Sequence, residues 1–132
     1  MFVHTRHQGP RAEYRQKQGQ RVVASPSLAQ KYGKLKSLTV KVGYFAPEGG
    51  IQFRQMTYAV NLDHAKSVFR LDCCSGECVQ GDHELTEELA KAIAHRTTMV
   101  KGDLCCTGWQ NKESIKTTKC NHVLRYKLKL GY

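Results

Sequence analysis

The sequence predicts an α+β fold: a single mixed sheet of about five strands with one main helix packed on it, a short N-terminal helix, and a cysteine cluster at one sheet edge. Three observations lead there. From residue 38 onward most segments alternate apolar and polar residues with a period of two, as strands do. One segment, beginning at Leu85, repeats its apolar residues every fourth position, as a helix does. The six cysteines fall where predicted strands end or begin.

Residues 1–20 are polar, basic and rich in Gln and Gly, without hydrophobic periodicity, and read as a flexible basic tail. Residues 21–132 then form the single α+β domain. SPSLAQKYG (25–33) reads as a short helix that Ser25 caps, Pro26 starts and Gly33 ends. In SLTVKVGYF, Leu38, Val40, Val42 and Tyr44 share one face of a strand. The turn APEGG (46–50) makes the next strand return antiparallel. That strand opens at Ile51 and Phe53, then shifts its apolar phase to Met56, Tyr58, Val60 and Leu62, which is what a β-bulge leaves in a sequence. SVFRLDC is a third strand, with Phe69, Leu71 and Cys73 on one face.

The helix after it takes Thr86 as its N-cap and places Glu87 and Glu88 where the helix dipole favours acids. Leu85, Leu89 and Ile93 form its apolar stripe. MVKGDLCC is a fourth strand, with Val100, Leu104 and Cys106 on one side. In the last strand Leu124, Tyr126, Leu128 and Leu130 alternate with Arg125, Lys127 and Lys129, giving one apolar and one basic face.

The strand, helix, strand order predicts that the third and fourth strands run parallel. Their C-terminal ends, and the start of the fifth strand, then meet at one sheet edge. This brings together Cys73 with Cys78, then Cys106, then Cys120. Parity selects Cys73, Cys78, Cys106 and Cys120 as a tetrahedral thiolate set for a structural zinc ion, with Cys74, Cys105 and His122 as alternates and His83 in reserve. The glycines of SGEC and VQGDHELT suit a tight turn around a metal. Small buried hydrophobes, disulfides and a redox pair are the competing uses of these cysteines.

The formal net charge is +10 and it is unevenly spread. Residues 1–43 hold nine Lys/Arg against one acid, residues 44–100 five against eight, and residues 101–132 seven against two. Basic ends of this kind attract phosphate polymers. The expected nucleic-acid contacts are Arg6, Arg11, Arg15, Lys17 and Arg21 in the N-terminal arm. Trp109, Lys112, Lys116 and Lys119 in the loop before the last strand add to them, as do Arg125, Lys127 and Lys129 on that strand.

The functional expectation is a non-enzymatic, zinc-stabilised protein that binds RNA or DNA. The alternatives are an assembly subunit with an acidic protein partner, and a thiol- or metal-dependent enzyme. No small-molecule substrate is implied, since no nucleophile motif or phosphate-binding loop is present. No run of about 18 apolar residues exists to cross a membrane. The N-terminus carries no apolar leader region, which with the many cysteines points to a cytoplasmic protein with a metal-binding use for its thiols.

Overall fold

A computed structural model describes residues 4–46, 52–73, 78–79, 81–110 and 120–132. The elements follow one another as α1 (His4–Ala24), α2 (Leu28–Lys31), β1 (Ser37–Phe45), β2 (Gln52–Ala59), β3 (Arg70–Asp72), β4 (Cys78–Val79), β5 (Asp82–Glu84), α3 (Thr86–Ala94), β6 (Met99–Cys105), β7 (Trp109–Gln110) and β8 (Val123–Gly131). The fold is α+β. A four-stranded sheet runs in the order β2-β1-β8-β6, and two short ribbons, β3-β5 and β4-β7, stand outside it. Among the described residues every strand pair is antiparallel.

The alternating segments place the core. Leu38, Val40, Val42 and Tyr44 of β1 are buried with Leu124, Tyr126, Leu128 and Leu130 of β8, with Leu89 and Ala92 of α3, and with Leu85 just before that helix. The chain ends against the same helix, with Tyr132 Oη 3.2 Å from Ala92 O and 2.9 Å from Thr97 O. Tyr44 pairs with Arg54 but Phe45 with Gln52, so β2 carries one extra residue at position 53. This is the bulge that the phase shift in the sequence predicts.

The third strand does not join the main sheet beside β6. It pairs antiparallel with β5, in the register Arg70↔Glu84, Leu71↔His83 and Asp72↔Asp82. The main sheet therefore has four strands where the sequence predicts about five. The cause is local. Residues 82–84 are themselves extended, and a short return closes a smaller loop than a crossover through α3.

The β3-β5 register sets two aspartates opposite each other, which is unfavourable without a cation. Arg70 supplies it. Its Nε lies 2.6 Å from Asp82 Oδ2 and its second nitrogen, Nη2, 2.8 Å from Asp72 Oδ1. The Arg70 and Asp82 side chains are only 8% and 10% exposed. Arg70→Leu is expected to lower stability by about 3 kcal/mol, the penalty for leaving a buried charge unpaired. Urea unfolding of the variant against the parent measures it.

Residues 4–24 are helical, where the sequence predicts a tail from 1 to 20. A search for hydrophobic periodicity misses this helix because its anchors are polar. Its Gln, Arg, Lys and Ala residues favour helix intrinsically. Tyr14 donates to Asp82 (3.2 Å), and Arg21 grips Glu84 through two bonds of 2.8 and 2.6 Å. Burial and then Asp82 push the Tyr14 hydroxyl up to about 12. The bonds from Arg21 hold the Glu84 carboxyl below its ordinary value.

Two caps differ by a residue or two from expectation. Ser27, not Ser25, caps α2, because only Ser27 has a Gln three residues on to complete the reciprocal pair. Thr86 is the first residue of α3 and its Oγ1 accepts from Phe69 N (2.9 Å), joining the helix to the chain before β3. Among the described residues no helix is long and apolar enough to cross a membrane.

Candidate metal centre

Cys73, Cys78, Cys106 and Cys120 arrive from different directions. Cys73 follows β3 and Cys78 opens β4, which pairs with β7 through Cys78↔Gln110 and Val79↔Trp109. Cys106 follows β6, and Cys120 precedes β8. The β6-β8 ladder continues past its last strand pair, with Cys106 N donating to His122 O (2.8 Å) and Cys120 N to Gly108 O (3.0 Å). Two cysteines thus come from the stem of one long hairpin and two from the segment between β3 and β4. Among the described residues the parallel pairing that the sequence predicts is absent, yet the same four cysteines meet.

The four sulfurs all lie within 4.8 Å of one another. Cys73 Sγ is 3.4 Å from Cys120 Sγ, and Cys78 Sγ is 3.4 Å from Cys106 Sγ. A disulfide needs about 2.0 Å, so these sulfurs are unbonded. Four thiolates about 2.3 Å from a central ion lie roughly 3.8 Å apart. The observed separations bracket that value, and the residues fit a metal ion. Among the described residues the cluster also stands apart from the main core, and its buried members there are all cysteine. Cysteines serving as small hydrophobes would pack among aliphatic side chains instead.

The electrostatics agree. Cys106 Sγ accepts the Gly108 backbone N–H, and Cys120 Sγ accepts that of His122. Backbone donors aimed at sulfur favour the thiolate. Hydrogen bonds from Cys106 and Cys73 pull the Cys120 thiol down, and sharing that proton pushes Cys106 up. Burial drives Cys78 up to about 12. Several thiolates cannot coexist in this space without a cation to balance them.

Burial of Cys78 and binding of a metal give pH dependences of opposite sign. In the metal-free protein Cys78 is a neutral buried thiol, raised from 9.0 to about 12. Its contribution to stability is full below pH 9 and lost as pH rises towards 12. Metal binding needs thiolates and releases protons, so the metal's contribution falls as pH is lowered. Thermal unfolding across pH, with and without chelator, should show both slopes.

Gly81 explains how Cys78 and Cys106 approach so closely. A Cβ on Gly81 would overlap both sulfurs and sit 3.0 Å from Gly108 N. Gly81→Ala is expected to reduce metal affinity at least tenfold, read by competition with a chromogenic chelator. Equal affinity would show that the turn can move aside.

The remaining candidate ligands stand off. Cys105 is exposed and outside the cluster. Cys74 lies outside the described residues. His122 Nδ1 is 3.2 Å from Cys120 Sγ and 3.0 Å from Cys120 O, beside the cluster rather than within it. His83 is 1% exposed and its Nε2 donates to His122 O (3.1 Å). Its Nδ1 is buried with no hydrogen-bond partner among the described residues.

The expected nucleic-acid residues divide similarly. Arg15 and Arg21 face acids of the same chain, Asp72 at 3.9 Å and Glu84 at 2.6 Å. Lys17 is exposed. Arg6 and Arg11 lie on α1, and Trp109 on β7. Lys112, Lys116 and Lys119 lie outside the described residues. Arg125, Lys127 and Lys129 stand on the sheet face opposite the core, and the register shows what the sequence reading missed. Lys127 is flanked directly by Lys41 on β1 and Lys101 on β6. Strand parity already puts Lys41 and Lys101 on their polar faces. Only the strand order, which parity does not contain, makes them neighbours.

Comparison with protein-family models, with curated proteins and with solved structures finds no match to this chain.

Proposed function

We propose that this is a non-enzymatic nucleic-acid-binding protein whose fold is held by one zinc ion at Cys73, Cys78, Cys106 and Cys120. Four buried thiolates within 4.8 Å of one another can close the tetrahedral coordination of zinc, which needs no further ligand there. A closed site leaves no position for substrate, so the metal's role is structural. It clasps the β3-β4 segment to the stem of the β6-β8 hairpin.

The observation that carries the binding role is the row Lys41, Lys127, Lys101 across three adjacent strands. Like charges directly opposite each other oppose folding by a few tenths of a kcal/mol or more per pair. Lysines that guard a sheet against aggregation belong on edge strands. Yet β1 and β8 are the two internal strands. A polyanion laid across the row turns the repulsion into attraction. Lys129 and Arg125 extend the basic face, and Asp103, opposite Arg125, is its one acid among the described residues.

The N-terminal arm contributes less than its charge implies, because Arg15 and Arg21 are already engaged. Fluorescence anisotropy with a labelled oligonucleotide tests the reading. Binding should weaken steeply with salt, by roughly 0.7 to 0.9 logarithmic units per phosphate contact for each tenfold rise. Absence of binding at low salt contradicts it.

A further inference from the structure

We infer that the ligand of the basic sheet face is single-stranded nucleic acid, with a base stacked on the Phe45–Arg125 pair; this rests on the nucleic-acid reading above. Width argues against a duplex read in its major groove. The outer strands β2 and β6 are three strand spacings apart, about 14 Å before side chains are added. A major groove is about 12 Å wide and admits one helix or a two-stranded ribbon. A four-stranded face cannot enter it. A single strand can lie across such a face with its bases against the sheet.

The stacking surface is built. Phe45 ends β1, and its ring folds back over Gly43, close enough that a Cβ there would come within 3.1 Å of it. Arg125 lies over the same ring, its Cζ 4.8 Å from the centroid. Asp103 fixes the guanidinium from the side, with Oδ1 3.1 Å from Nε and Oδ2 3.4 Å from Nη2. An aromatic ring and a flat guanidinium are thus held on the open face rather than in the core. Both are surfaces on which any base can stack. Around them is a depression of about 620 Å³, lined among others by Lys41, Gln52, Gln55 and Lys101. That is room for a nucleotide, with lysines placed for its phosphates and amides for a base edge. Without a large side chain at Gly43 the floor stays flat. Phosphates and bases are therefore met by different residues, and the two contributions can be separated by experiment.

Three labelled probes of about 12 nucleotides, within the usual footprint of such a surface, make the separation. They are a single strand of thymidines, an abasic strand of equal charge, and a duplex. The full chain, loaded with zinc, should bind the thymidine strand at least tenfold more tightly than the duplex. Phe45→Leu should lose about tenfold on the thymidine strand and leave the abasic strand unchanged. Phe45→Trp should keep the parent affinity, which guards against a folding artefact. Equal or tighter duplex binding overturns the inference while the nucleic-acid reading stands. So does an equal loss on both single strands in Phe45→Leu. No binding of any probe at low salt overturns the nucleic-acid reading and the inference with it.

Discussion

Cys120→Ala is expected to unfold the protein at ambient temperature. Cys120 is fully buried, precedes β8, and carries a sulfur 3.4 Å from that of Cys73. With the proposed zinc ion at the four cysteines, its loss opens the clasp between the β3-β4 segment and the hairpin stem. Structural zinc contributes on the order of 10 kcal/mol of apparent folding free energy, as much as the whole net stability of a typical domain. Losing most of that leaves the unfolded state dominant. Circular dichroism of the variant should resemble that of the parent treated with excess chelator. Cys105→Ala is the control. Cys105 is exposed and outside the cluster, so its replacement should shift stability by no more than about 0.5 kcal/mol. A folded Cys120→Ala protein with unchanged stability would show that the cysteines are packing residues.

Lys127→Glu should separate binding from folding. Lys127 faces Lys41 on one side and Lys101 on the other. Reversing its charge replaces two repulsive cross-strand contacts with attractive ones, so the fold should gain a few tenths of a kcal/mol. On the proposed nucleic-acid reading, the same change puts an acid where the phosphates would lie. Affinity for an oligonucleotide should fall about tenfold or more, and the salt dependence should flatten by about one phosphate contact. A gain in stability with a loss of binding is the pattern of a functional surface. A variant that gains stability and binds as before would reduce the lysine row to a solvated face.

Much of this architecture can be read from period and parity. The faces of β1 and β8, the bulge in β2 and the apolar stripe of α3 follow from where the apolar residues fall. So does the choice of four cysteines from six, since Cys73 and Cys106 share faces with Leu71 and Leu104. Strand order is another matter. Parity tells which face a residue takes but not which strand lies beside it, and β3 is too short to declare its partner. The β3-β5 ribbon is bridged by the Arg70 network, a polar interaction without a periodic signature. Helix α1 is hidden for the same reason, because Tyr14 and Arg21 anchor it to acids distant in sequence. The lysine row and the Phe45–Arg125 pair need the register of three strands before they become visible. The cysteines meet despite a wrong expectation about topology, because each lies at a strand end on the same side of the molecule.

The most direct test of the central claim is the metal content of the protein purified without chelator, measured by elemental analysis beside native mass spectrometry. About one zinc per chain is expected, lost together with folded structure when a strong chelator is added. A folded, metal-free protein that is indifferent to chelator and takes up no zinc would contradict it.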